Sequence, residues 1–410
     1  MNSQLMPALV GVLLVLVQAL AALPWLAVLF VTRSQWEAWR RNSFGGWWLP
    51  RLLIGLSAVV VLGGLAPSLI KEKDTLDTVG QAYGAVLQLQ FTADFFIVVF
   101  AVLLLVWPKG GAVALSAFRE GVRQPMFWLL TGFALLLMVV SPFIPYFTFG
   151  EDHIMMKELG YDTIMLAAVA FGALAATLFV SEEIEGRTAI TLMSKPVSRR
   201  QFLLGKYVGI LMAALVMIGL LGWCFEGVVV YKRWLDRLDP LPSPEWLVDT
   251  LTRLDLPAQP THFLHGVGTW ANYVLETLPG LALNFSQVMV LLGIAVALAT
   301  RLPMVVNLAT VLVIYFLAHL TPVLVSISQR SKETTQGSTV SQMLSFMANL
   351  FDTILPGLDF FRVSNRLVSD QPLPTGQLFA YVGSVTVYGM IYAVIVLVLG
   401  LILFEDRDLA

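Results

Sequence analysis

The sequence predicts an all-α polytopic membrane protein, and three observations lead there. Of its 410 residues, 58% are apolar. Only 13% are charged, where a soluble domain carries about a quarter. Mean hydropathy is +0.80, and the apolar residues fall into about nine runs near the ~20 residues that span a bilayer as a helix. The same figures exclude a soluble globular domain and a disordered chain. A formal net charge of −2 leaves no basic surplus for nucleic acid. One cysteine, Cys224, excludes a disulfide framework and a cysteine zinc site, and four histidines leave little for a metal centre.

The predicted spans run Leu9–Val31, Leu49–Ile70, Phe91–Trp107, Met126–Thr148, Thr163–Val180, Leu203–Tyr231, Leu278–Thr300, Pro303–Ile327 and Leu378–Phe404. The first lacks a basic n-region and is about twice a signal-peptide apolar core, so it reads as a true span. Apart from Arg51 and Lys206, near the inner ends of the second and sixth spans, no Lys or Arg falls inside a span. With the N-terminus outside, the inner segments hold Arg33, Arg40, Arg41, Arg51, Lys109, Arg119, Arg123, Arg187, Lys195, Arg199, Arg200, Lys206, Arg301 and Arg407. Their density is about twice that of the outer segments, which follows the positive-inside rule. The expected topology therefore has an outer N-terminus and a cytoplasmic C-terminus in the plasma (inner) membrane.

Ala112–Gln124 reads as an amphipathic helix in the interface. Leu115, Phe118 and Val122 share one face, and Arg119 and Arg123 stack on another toward anionic headgroups. Pro125 then permits a sharp turn.

The inner loop over residues 181–200 reads as a short helix hung between two long ones. Glu182, Glu183 and Glu185 follow Ser181, where a helix N-terminus is positive. Ile190 and Met193 share a face, and Pro196 stops the helix. Ser198 and Gln201 have the spacing of a capping box that opens the next helix. Reaching Tyr231, that helix is about 50 Å long against a hydrocarbon core of about 30 Å. A capped element with an apolar face, held outside the bilayer, suits docking to a soluble partner.

Two outer loops follow. In 232–277, Ser243, Pro244 and Glu245 read as N-cap, N1 and N2 of a short helix striped by Leu247, Leu251 and Leu254. In 328–377, Met343, Phe346, Met347, Leu350 and Phe351 point to a re-entrant or interfacial helical hairpin.

Catalytic signatures are missing. No G-x-x-x-x-G-K-[ST] phosphate loop, H-E-x-x-H or G-x-S-x-G occurs, so no ATP site, cofactor or catalytic residue is expected. Intramembrane polar groups are few: Glu226, Asp94 and His319. Glu226 reads as either a pathway-lining group or half of a structural ion pair. His262 and His265 lack a third ligand, and the run from His153 to Met156 is an ordinary surface pattern. Gly205 and Gly209 form a small-xxx-small pair for close helix packing.

From Ala112 to Ala410 the sequence resembles the permease subunits of ABC-2 type ATP-binding-cassette transporters, most closely the multicopper-enzyme-maturation permease branch. The residues that carry the resemblance are Phe118-Arg119-Glu120 in the entry helix, Glu183-Ile184-Glu185-Gly186-Arg187-Thr188, Leu192 to Arg199, and Gly205-Lys206-Tyr207. Leu355-Pro356-Gly357-Leu358-Asp359 and the ending Leu403 to Leu409 add to it. The resemblance implies a six-helix core over residues 111–410, preceded by a three-helix extension over 1–110 that departs from the family pattern. It implies a transport subunit, not an enzyme, that exports a substrate with ATP hydrolysed by a separate ATPase. A second permease copy or a paralogue would complete the pathway. Glu182, Glu183, Glu185, Arg187, Ile190 and Met193 would form the ATPase-coupling element. No Cys, His or Met cluster in the spans supports copper as cargo. The competing readings are an ion-coupled carrier or intramembrane enzyme, favoured if Glu226, Asp94 and His319 converge, and a structural membrane scaffold.

Overall fold

The computed structural model describes residues 20–21, 55, 57–58, 61, 63–64, 70–146, 152–181, 183, 198–334, 339–362 and 375–405. These residues are helical with no strand among them. The helices are α1 Lys73–Val106, α2 Pro108–Arg123, α3 Pro125–Val140, α4 Asp152–Ala176, α5 Arg199–Leu235, α6 Glu245–Leu254, α7 Ala258–Ala299, α8 Met304–Thr334, α9 Thr339–Ile354 and α10 Thr375–Glu405. A π-helical turn, Thr177–Ser181, extends α4, and short 3-10 turns cover Ser141–Phe143 and Leu358–Phe361. Seven of these helices are long and apolar enough to cross a membrane. They match the last seven of the nine predicted spans. Most of Leu9–Val31 and most of Leu49–Ile70 lie outside the described residues.

Proline sets the early boundaries. Pro108 and Pro125 each stand in the first turn of a helix, where a missing N–H costs nothing. Gln124 between them is extended, as a residue before proline prefers. Several helices overrun the spans read from hydropathy, α1 and α7 the furthest. α1 starts at Lys73, not Phe91, and α7 starts at Ala258, not Leu278. At 1.5 Å per residue, α7 is about 63 Å long, twice the hydrocarbon core of about 30 Å. The stretch 232–277, expected as a proline-rich loop, is therefore largely helical.

The chain divides into two compact units. The first combines Met1–Val106 with Trp223–Leu278, and the second Trp107–Gly222 with Pro279–Ala410. Both α5 and α7 change unit within their length, α7 at its internal Pro279.

In the first unit α1 packs on α7 around Leu76, Tyr83 and Phe263, with the two rings 5.2 Å apart. Glycines allow the approach. A Cβ on Gly80 would stand 2.3 Å from the Phe263 carbonyl oxygen, and one on Gly266 2.1 Å from that of Asp77. α6 meets α7 through Leu247, which fills the space above Gly268, and Leu251 on the same helix is buried. Pro244, not Ser243, is the N-cap residue of α6. The Ser243 hydroxyl donates instead to the His265 carbonyl, 2.9 Å away. That long-range bond outcompetes local capping.

In the second unit α4 and the later part of α7 are the most buried segments. The Tyr207 hydroxyl donates to the Met289 carbonyl (3.0 Å), and Asn284 Nδ2 donates to that of Tyr161 (2.8 Å). Asn307 Nδ2 reaches Ala295 O (3.2 Å) and Thr177 Oγ1 (3.3 Å). These bonds satisfy polar groups that hydrocarbon would leave bare. α9 folds back on α8. Its far end is pinned to α10, where the Tyr392, Tyr388 and Tyr381 hydroxyls bond the Ile354 carbonyl, the Gly357 N–H and the Phe360 carbonyl. The segment Leu355–Asp359 is the turn thus held.

Candidate functional site

Helix α5 opens with Arg199, Arg200 and, two turns on, Lys206. Arg199 and Arg200 meet the end of α10, and Lys206 meets α2 and the stretch after α4. Ser198 and Gln201 form the predicted capping box, with the Gln201 N–H donating to Ser198 Oγ (3.2 Å) and the Ser198 N–H to Gln201 Oε1 (3.1 Å). This fixes where α5 starts. Arg199 Nη1 donates to the last carbonyls of α10, Phe404 O and Glu405 O, both at 2.9 Å. It thereby supplies the positive charge and donors that a helix C-terminus lacks. Arg200 Nη2 pairs with Glu405 Oε1 at 3.0 Å on the exposed side.

Lys206 is buried, at 5% exposure. Its ammonium lies 2.6 Å from Glu183 Oε1 and 3.6 Å from Glu120 Oε2. It also stands 5.5 Å and 5.9 Å from the centroids of the Phe179 and Phe202 rings. One cation therefore joins α2, the stretch just beyond α4, and α5. Burial pushes the Glu183 carboxyl up from its ordinary range, while the Lys206 charge pulls it back and Glu120 adds to the rise. Just beyond the ring of Phe179, Ser181 Oγ donates to Leu302 O at 2.8 Å, which fixes the end of α4 against the turn before α8.

Below Lys206, α2 lies directly on α5. A Cβ on Gly205 would stand 2.8 Å from Val113 Cβ and 2.9 Å from Gly110 O. One on Gly209 would stand 2.3 Å from Ala114 O and 2.7 Å from Ala117 Cβ. The small-xxx-small pair thus has its partner, and the partner is the entry helix. The face that α2 buries is Gly110, Ala114, Ala117 and Gly121. Beside this stripe Val122 is buried, while Leu115 and Phe118 of the expected membrane-facing side are half-buried. Two helices approach closest where side chains are smallest, so the small stripe, not the large apolar one, makes the contact. Spacing at i, i+4, i+7 and i+11 was the available signal.

Of the six residues that the resemblance marks for ATPase coupling, Glu183 stands at the Lys206 cluster. Glu182, Glu185, Arg187, Ile190 and Met193 lie outside the described residues. Glu226 is fully buried in the first unit. Its Oε1 accepts from the Thr277 hydroxyl at 3.0 Å, and Gln88 lies beside the carboxyl. Gln88 in turn accepts from the Trp270 indole at 2.8 Å. No basic side chain pairs with Glu226 among the described residues. Asp94 is buried in the same unit, and neither of its oxygens has a hydrogen-bond partner among the described residues. His319, in the second unit, turns its ring Nδ1 to Tyr315 O at 2.9 Å. No hydrogen bond or ion pair joins these three residues among those described. His262 Nδ1 lies 3.7 Å from Asp77 Oδ1, and His265 Nδ1 3.2 Å from Ser243 Oγ. Among the described residues no group of three His, Cys, Asp or Glu could hold a metal ion.

Residues 122–233 match the family model of the ABC-2 family transporter proteins. The matched stretch starts at the end of α2 and takes in α3, α4, the segment after α4, and α5 nearly to its end. It covers just over a quarter of the chain and supports the ABC-2 type permease resemblance read from the residues themselves. The chain matches no curated protein.

Proposed function

We propose that this chain is the membrane-spanning subunit of an ATP-driven transporter. A separate ATPase hydrolyses ATP and grips the element over residues 182–194, and a second permease copy or a paralogue completes the pathway. Transport runs outward. The observation that carries the reading is the match over 122–233, which brackets that element between two helices suited to spanning a bilayer. The sequence contributes a second support: it has no phosphate-binding loop, so the energy source is another chain. Closure of the ATPase dimer would displace the gripped element and move α4 and α5 as levers.

Reconstitution tests this reading. The purified chain is expected to hydrolyse no ATP, and the ATPase that co-purifies with it is expected to change its turnover when both share a vesicle. Contaminant-free hydrolysis by the chain alone overturns the proposal.

The proposed topology puts the N-terminus outside and the Lys206 end in the cytoplasm, in line with the excess of basic residues there. In a Cys224→Ser background, single cysteines at Ser116 and Ser194 are expected to stay unlabelled by an impermeant maleimide in intact cells. Cysteines at Asp152 and Asp249 are expected to react. Asp249 is exposed on α6 and is the better reporter than the hydrogen-bonded Ser243. Labelling of Ser194→Cys in intact cells reverses the orientation.

A further inference from the structure

We infer that Lys206 is the positioning residue that couples the element after α4 to the entry helix, by exchanging its ammonium between Glu183 and Glu120. The inference rests on the proposed ATP-driven reading and adds to it a residue and a switch.

A lysine with 5% exposure needs a counter-charge, because a buried ammonium without one is strongly disfavoured. Here it has two, on different elements. The short contact, 2.6 Å, goes to Glu183, at the start of the proposed coupling element. The long one, 3.6 Å, goes to Glu120 on α2. Glu120 is the more exposed carboxylate and so the less desolvated. When the ATPase pulls Glu183 away, the ammonium closes on Glu120 and is never left unpaired. That gives the cluster two discrete arrangements, which a coupling device requires. The ammonium also stands 5.5 Å and 5.9 Å from the centroids of the Phe179 and Phe202 rings, which give it cation–π contact beside either carboxylate. Gly205 and Gly209 seat α2 on α5 with backbone-to-backbone contact, so the Glu120 side of the exchange stays fixed while the Glu183 side moves.

A matched series of variants in the Cys224→Ser background tests this. The probes are the ATPase that co-purifies with the wild-type chain and a spin label on Ser194→Cys. Lys206→Met keeps the stem packing and removes the charge. It is expected to bind the ATPase like wild type but lose stimulation by about tenfold, within the usual range of coupling free energies. Its label is expected to gain mobility. Lys206→Arg is expected to recover both readouts in part. Glu183→Gln is expected to free the label. Glu120→Gln is expected to leave the resting label unchanged yet lower stimulation, a split that a merely structural role does not give. If Lys206→Met alone fails to fold, Lys206→Met/Glu183→Gln also removes the carboxylate charge that faced the ammonium. That variant is expected to reach the membrane with a free label. Wild-type stimulation and an unchanged label in Lys206→Met overturn the inference. Should no ATPase bind even the wild-type chain, the transporter reading fails, and the label series still decides whether Lys206 holds the element.

Discussion

Replacing Gly209 by valine is expected to dislodge α2 and to be the most damaging single substitution in the second unit. The new Cβ would stand 2.3 Å from Ala114 O, 2.7 Å from Ala117 Cβ and 3.0 Å from the Phe118 nitrogen. Two of those atoms are backbone and cannot rotate aside. Overpacking a core typically costs about 1–3 kcal/mol when side chains can relax, so a backbone clash belongs at or above the top of that range. Gly132 on α3 is the control, since a Cβ there meets nothing within 4 Å. Heating in detergent, followed by size-exclusion chromatography, is expected to show early loss of the monodisperse peak for Gly209→Val and a near wild-type curve for Gly132→Val. Equal curves would mean that α2 does not depend on the glycine seat. The Lys206–Glu120 contact would then not be anchored as described.

The second large effect is expected from Ile190→Asp/Met193→Asp. Under the proposed function these two side chains form the apolar tip that enters a groove on the ATPase. Burying each is worth roughly 1.5–3 kcal/mol, and two aspartates would also bring charge into the contact. Co-purification of the ATPase is expected to be lost. Insertion and thermal stability of the isolated permease are expected to stay near wild type, because the residues act on a partner's surface. This pattern is the reverse of Lys206→Met, which keeps binding and loses stimulation. A double variant that still binds and stimulates like wild type places the docking contact elsewhere.

The candidate site was legible in part. The S-R-R-Q start of α5 announced its cap, and Ser198 with Gln201 forms it. The Gly205–Gly209 pair announced a close helix neighbour, though not which one. Lys206 carried no local sign of burial. A lysine in an inner basic stretch ordinarily faces water, and only the meeting of Glu120 and Glu183, 86 and 23 positions away, makes it a buried centre. Gly80 and Gly84 in α1 have the same spacing as Gly205 and Gly209. A polar run around them hid their role, because hydropathy records what faces lipid and not what faces another helix.

The sequence by itself determined the class: runs of apolar residues can satisfy their backbone in hydrocarbon only as helices, so composition and length dictate an all-α polytopic chain. It also determined where α3 and α5 start, because Pro125 and the Ser198–Gln201 box act within one turn of themselves. Tertiary structure decided what depends on partners distant in sequence. α1 and α7 run past their hydrophobic cores because Tyr83, Phe263 and the glycines beside them bury polar-flanked turns against each other. α2 rests on its small residues because Gly209 meets it at backbone distance. Lys206 is charged and buried at once because two carboxylates from elsewhere in the chain converge on it, and no local pattern encodes that convergence.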